Sequence, residues 1–453
     1  MGKRGGVSSM LWVAVFLAAL RLASPSLANA SFFLLAAYAL LGRVQAIWAL
    51  LLSWIFSMVS LGIAPEASLA AVGRYAVLAM AALSVLLRGG RPVSSGEISV
   101  SYPVFMTVLF GSAVVLHAIM FSAVPDVSIL KAVSWTVAMA TLLSAWSGLN
   151  PEARQRLERQ LFGGLTLLLL ASVPLLASGL GYMVNGTGFQ GVLAHPQAFG
   201  PTMALLAAWL GSGIVGRPNP QWRQLGLFLL CLVLIVMSEA RTAGLGLLLG
   251  LLVAAATGRV LAKRPLRKFL PGLGNRRVQL AIGLGLLAMV AAGPFLGAQL
   301  GAYVAKRGGS SNVMEAYDRS RGSKVDEMWG NIVEHPLRGI GFGVASDPFD
   351  MDVARDPLLG LPTGASVEKG VAFLAAWEEL GLLGLLAVLG WLWMLVRHAA
   401  RGGMTSLAVC LTVLFMNFGE ATLFSPSGMG MLSLVLLAWA ATAQRATTRG
   451  GHV

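Results

Sequence analysis

Four polar stretches in an otherwise apolar chain hold the residues with chemistry to do. The first is NGTGFQGVLAHPQAFGP, Asn185 to Pro201, where His195 and Gln197 stand on either side of Pro196. An imidazole and an amide at a Gly- and Pro-shaped turn can hydrogen-bond a sugar hydroxyl or a phosphate, and the same turn can equally do no more than cap a helix. The second is SEART, Ser238 to Thr242. Its Glu239 and Arg241 lie between two short apolar runs, a costly place for charge unless paired or hydrated. Arg241 carries a planar fork that matches two phosphate oxygens; the plainer alternative is a structural pair with Glu239. The third, DRSRGSKVDEMWGNIVEHPLRGIGFGVASDP, Asp318 to Pro348, offers Arg319, Arg321 and His335. Its GIGFG run lacks the Gly-Lys-Ser/Thr ending of a phosphate-binding P-loop, and no βαβ unit surrounds it. Its plain alternative is a solvated loop of balanced charge, with Met328–Val333 as a short surface helix. The fourth, ASVEKGVAFLAAWEELGLLGLL, Ala365 to Leu386, brings Glu368 and Lys369 and then Glu378 and Glu379. Glu368 is the candidate general base, with an ion pair to Lys369 as the alternative. Glu379 falls inside an apolar run and needs a polar partner.

The last two stretches belong to one long polar segment, Gly301 to Val371, which holds ten of the chain's nineteen carboxylates. Around it the sequence is 57% hydrophobic and 11% charged, with a mean hydropathy of +0.76. Fourteen apolar stretches, from 10–24 to 426–443, approach the length of ~20 residues that crosses a bilayer. The expected architecture is therefore all-α: one polytopic membrane bundle of about 12–14 transmembrane helices spanning 1–453, with 301–371 as a large loop between late helices. Spans 224–238 and 243–257 flank the SEART turn as a polar kink. A second apolar run follows the first at once, so no cleaved signal peptide is expected. Other ionisable residues in the apolar runs are Arg21, Arg74, His117, Lys131 and Glu420, of which Arg74 stands mid-span. The rest are expected to snorkel or lie at the interface.

The net charge of +14 is a topology signal. Twenty-one of the thirty-three Lys and Arg fall in alternate connections, opposed there by Glu97, Glu152 and Glu158 alone. That pattern predicts cytoplasmic termini, a cytoplasmic Arg259–Arg277 connection and a periplasmic 301–371 loop. It leaves no basic patch for nucleic acid and favours contact with anionic membrane lipid. Cys231 and Cys410 sit in apolar runs as small core residues. No cluster of His or carboxylates has metal-ligand spacing, so neither a metal nor another cofactor is expected.

Taken together, the four stretches resemble those of the O-antigen ligase and O-antigen polymerase superfamily of bacterial inner-membrane glycosyltransferases. The turn His195–Gln197 is similar to that family's His-Pro-Asn/Gln, SEART to its Ser-x-x-Arg opening a helix, and HPLRGIGFG with Glu379–Gly384 to its signature loop and Glu-x-Gly-x-x-Gly. The resemblance covers about residues 160–400. It implies an undecaprenyl-diphosphate-linked glycan as donor and no cofactor, with polysaccharide export or chain-length proteins as partners. Diphosphate contacts fall to Arg241 with Arg319 or Arg321, and sugar contacts to Gln197, Glu239 and His335. Glu368 or His195 receives the acceptor proton. Ligases carry a His where the long loop returns to the membrane, whereas this chain reads Glu368–Lys369–Gly370; that favours a polymerase or another exopolysaccharide branch over a ligase. A transporter or flippase for the same lipid-linked sugar is the reading from another functional class, and a non-catalytic scaffold of a secretion complex is a third.

Overall fold

The computed structural model describes residues 5–89, 101–184, 186–261, 265, 269–291, 322–349, 351–355, 360, 362–365, 367 and 369–443. Its helices are α1 (Gly5–Ala23), α2 (Pro25–Ala39), α3 (Arg43–Met58), α4 (Ala70–Gly89), α5 (Tyr102–Phe121), α6 (Pro125–Ser147) and α7 (Pro151–Ser172). They continue as α8 (Pro196–Gly216), α9 (Trp222–Met237), α10 (Arg241–Leu261), α11 (Arg276–Ala291), α12 (Ser323–Glu334), α13 (Ala372–Gly402), α14 (Met404–Met416) and α15 (Gly430–Ala441). All but α12 answer one for one to an apolar stretch of the sequence. Prolines at the first turn open α2, α5, α6, α7 and α8, where a missing N–H costs nothing.

The result is an all-α bundle of the membrane type. Seven of the described helices are long and apolar enough to cross a membrane, and six more are apolar but shorter. Large apolar side chains point outward along them, as with Phe105, Leu109, Leu116 and Ile119 on α5. In water such a belt would be an aggregation surface; against lipid it is solvated. The α8 helix is the exception, buried around most of its circumference, and so it carries His195 and Gln197 to the middle of one end of the bundle.

Connections meet in two sets, one at each end. At the first end Arg43 donates to the carbonyls of Gly148 and Arg88 at 2.9 and 3.1 Å. Arg154 donates to the Trp439 carbonyl at 2.5 Å, and Arg277 to that of Pro220 at 3.2 Å. These are connections that the Lys/Arg alternation puts together. At the other end the Ser60 and Ala194 amides pair with Val192 and Met58, and the Phe189 amide donates to Met237. There too the Ala123 amide donates to Ile340, and Ala372 to Asn417.

Two features depart from the all-α expectation. The described part of the loop contains an antiparallel pair, β1 (Val353–Arg355) and β2 (Pro362–Ala365). And α13 is two helices joined at Gly381, whose φ of 68° and ψ of −176° are not helical. Only glycine adopts that geometry without strain, and a Cβ there would strike the Leu337 carbonyl. The surface helix expected over Met328–Val333 is the longer α12, seated by Met328 and Ile332.

Candidate functional site

The His-Pro turn and SEART are neighbours. His195 is the N-cap of α8, and its Nδ1 accepts the Gln197 amide at 3.0 Å. A neutral ring with Nδ1 so used carries its proton on Nε2, so His195 presents a donor at its outer nitrogen. The Gln197 Oε1 is buried with no donor among the described residues. One turn along α8, Gly200 lies so close to Ser238 and Ala240 that a Cβ would collide with both. Between α9 and α10, Ser238 Oγ accepts the Ala240 amide at 3.4 Å, and the Arg241 amide donates to Glu239 at 3.0 Å. Glu239 has a φ of 55°, alone among described non-glycine residues in being left-handed. Such a conformation costs on the order of 1–3 kcal/mol and persists where surrounding structure imposes it. It sets Arg241 at the first position of α10, the positive end of the helix dipole, which favours an anion. Glu239 and Arg241 are both half-buried.

The second centre lies at the α13 kink, and sequence reasoning missed its composition. Freed by the break at Gly381, the carbonyls of Glu378 and Glu379 accept the amides of Ile340 and Gly341 at 2.9 and 3.0 Å, and the Pro336 carbonyl accepts the Leu382 amide at 2.9 Å. HPLRGIGFG is thus a strap of turns across a broken helix. Lys369, taken from sequence as a bystander of Glu368, is buried between two carboxylates. Its Nζ is 2.6 Å from Glu378 Oε2 and 3.2 Å from Glu379 Oε1. The other oxygens are met too: Asn331 Nδ2 donates to Glu378 Oε1 and the Gly343 amide to Glu379 Oε2, each at 2.7 Å. Every carboxylate oxygen therefore has a partner, which makes a buried ionic group tolerable. The Gly343 carbonyl accepts Lys131 Nζ at 2.7 Å. Gly343 has a φ of 69°, and a Cβ would press into the Lys131 side chain. Lys131 is thereby bound to the strap rather than snorkelling.

Above this network is a cavity of about 330 Å³ walled by α4, α6 and α13 and roofed by β2 and the 421–427 turn. Arg74, Lys131, Lys369 and Glu379 line it. Arg74 sits in the second turn of α4, near the cavity, and not in the middle of a span. The 417–429 segment joins the two centres. Gly419 packs on Thr242, beside Arg241, and the Ala421 amide donates to the Lys369 carbonyl at 3.3 Å. Asn417 holds this segment by accepting the amides of Thr422 and Leu423 at 2.9 and 2.8 Å.

Of the residues singled out from sequence, His195, Gln197, Glu239 and Arg241 are brought to one end of the bundle. His335 caps α12, with its Nδ1 3.3 Å from the Arg338 guanidinium, and does not line the cavity. Glu368, Arg319 and Arg321 lie outside the described residues. Glu379 finds the partner its apolar setting demands. The signal for the missed network was present as Glu-Leu-Gly inside an apolar helix, but its partners Lys131, Asn331 and Gly343 are too far away in the chain to be paired by inspection. Among the described residues no cluster of His, Cys or carboxylates could hold a metal ion. Compared with the models of known protein families and with curated proteins, the chain matches none.

Proposed function

We propose that the protein is a metal-independent glycosyltransferase of the bacterial inner membrane that polymerises undecaprenyl-diphosphate-linked oligosaccharide repeats. The observation that carries this reading is the meeting, at one end of an apolar bundle, of Arg241 at a helix start, the His195–Gln197 turn and the strapped Lys369–Glu378–Glu379 network. Charge so concentrated at membrane depth is expensive and is kept where a substrate needs it. By the Lys/Arg alternation that end is periplasmic, with both termini cytoplasmic.

In the proposed reaction an acceptor hydroxyl oxygen attacks the anomeric carbon of the donor sugar. The bond from that carbon to the diphosphate oxygen breaks, and the lipid diphosphate leaves. Arg241 and the positive end of the α10 dipole bear on the departing diphosphate, with Arg319 or Arg321 as the second cation; positive charge aimed where negative charge develops lowers the barrier most. Glu368 takes the hydroxyl proton. His195, with Nδ1 occupied, serves as a donor from Nε2 to a sugar or phosphate oxygen, and Gln197 Oε1 accepts a sugar hydroxyl. Glu239 holds the turn and meets the sugar edge.

Purified protein, given a synthetic diphosphate-lipid-linked repeat, is expected to lengthen it without added metal, and Arg241→Ala to slow lengthening by roughly 100- to 1,000-fold. Lipid-linked repeat that crosses a vesicle membrane without being lengthened would make the protein a transporter instead. Transfer to a non-diphosphate acceptor alone would make it a ligase.

A further inference from the structure

Of the residues given roles at the donor, Arg241, Glu239, His195 and Gln197 do not line the 330 Å³ cavity. Its chemistry is nevertheless specific. Three cations, Arg74, Lys131 and Lys369, face it against the one lining carboxylate Glu379. Lys369 is neutralised by its two glutamates, and Lys131 donates to the Gly343 carbonyl and is attracted by Glu379 without pairing to it directly. Among the described residues no carboxylate pairs with Arg74. A smaller cavity of about 20 Å³ shares Arg74, Tyr75, Pro426 and Ser427 with the larger one, and Trp54 lines it. The Trp54 indole N–H is buried and has no acceptor among the described residues. A charged fork without a counter-charge and a buried donor without an acceptor thus border adjoining spaces. Both call for an oxyanion. The volume is at the low end of the ~300–1,000 Å³ of ligand pockets, room for a phosphorylated sugar ring and not for an oligosaccharide.

We infer that this cavity is a second anion subsite, taking the phosphate or diphosphate group of the acceptor. The inference rests on the polymerase reading. In that reading the acceptor is itself a lipid-linked repeat, so the protein must hold two diphosphates at once, at separate places on one side of the membrane. Arg241 on α10 and Arg74 on α4 provide two such places. Between them runs the 417–429 segment, whose Gly419 touches α10 and whose Ser425 and Ser427 line the cavity. Arg74 and Lys131 bind the acceptor anion; Tyr75 and Ser134 are placed to meet its oxygens.

Equilibrium titration of the full-length chain in detergent with farnesyl diphosphate tests this. The wild type is expected to bind two equivalents. Arg74→Gln should weaken one of them at least tenfold and leave the other unchanged, and Arg241→Gln should do the reverse. The site that each variant retains also reports that it has folded. One equivalent, lost with Arg241→Gln and untouched by Arg74→Gln, overturns the inference and leaves the donor assignment standing. One equivalent, lost only with Arg74→Gln, makes the cavity the sole diphosphate site; the inference of a second subsite and the donor role of Arg241 then fail together. Competition by inorganic diphosphate at the Arg74-dependent site identifies the oxyanion as the recognised group. Competition there by farnesol, which lacks it, overturns the inference.

Discussion

The two polar centres at this end of the bundle are held by opposite means. The SEART and His-Pro turns are secured by backbone geometry over a few residues: a left-handed Glu239, a hydroxyl cap from Ser238, an imidazole cap from His195. Their charged side chains are half-buried. The α13 kink is secured by the charges themselves, with Lys369 and Glu378 fully withdrawn from solvent and each carboxylate oxygen matched. Chemistry asked of the first centre leaves the fold alone; chemistry asked of the second would dismantle it. Substitutions at the two centres should therefore separate activity from stability.

The sharpest test of that separation is Lys369→Met. It strands two adjacent carboxylates in a buried network. Removing one partner of a buried pair costs ~3–5 kcal/mol, so a large drop in thermal midpoint and faster proteolysis of the 335–371 segment are expected. Adding Glu378→Gln, which removes one of the two stranded charges, should recover part of the loss. An unchanged midpoint in the single variant would mean that Lys369 does not hold the strap. Arg241→Ala is expected to do the reverse. Losing one preorganised donor at a developing charge costs on the order of 2.7–4 kcal/mol of barrier, roughly 100- to 1,000-fold in rate. Sugar transfer should fall by that factor with the thermal midpoint unmoved, and Arg241→Lys should recover only part because an ammonium cannot fork.

How far the sequence announces each centre follows the same division. SEART and His-Pro are local patterns, visible because both halves of each interaction lie within a few residues. The fourteen apolar stretches are visible for a similar reason, since hydropathy is a property of a window. Lys131 and Gly343 are 212 residues apart, and nothing in either neighbourhood names the other. Hydropathy also erases the break at Gly381, because a window averages the glycine, and Glu378 and Glu379 before it, into the apolar residues on either side. The β1–β2 pair was invisible because so short a hairpin carries no alternation to read. Lys369 was assigned by adjacency to Glu368, yet its side chain reaches nine and ten residues onward to Glu378 and Glu379, since the chain is not helical until Ala372.

Gly381→Ala probes whether the kink or the ion network comes first. A methyl group at φ 68° is strained and faces the Leu337 carbonyl, with a cost on the order of 1–3 kcal/mol. If the network dominates, the strap shifts slightly and the midpoint falls by a few degrees. If the kink dominates, α13 straightens and the amides of Ile340 and Gly341 lose their acceptors. Hydrogen exchange at those two amides distinguishes the outcomes.

The smallest effect is expected where the hairpin meets the bundle. Arg355 Nη1 on β1 is 2.6 Å from Asp126 Oδ2 at the start of α6, and both side chains are about two-fifths exposed, 44% and 40%. An ion pair so open to water contributes ~0–1 kcal/mol and is screened by salt. Asp126→Asn should hardly alter the thermal midpoint. Its consequence is local, because β2, which pairs with β1, supplies Gly364 and Ala365 to the roof of the 330 Å³ cavity. If that pair is what latches the roof, weakening it opens the cavity without unfolding the bundle. Cys231 and Cys410 are buried, so a thiol placed at Ser134 on the cavity wall can be followed against a silent background. Its modification by a water-soluble maleimide should quicken several-fold when Asp126→Asn is added, and high salt should quicken it in the Ser134→Cys protein alone. Rates indifferent to both changes would show that the hairpin is held by its apolar and backbone contacts, and that the cavity fills by another route.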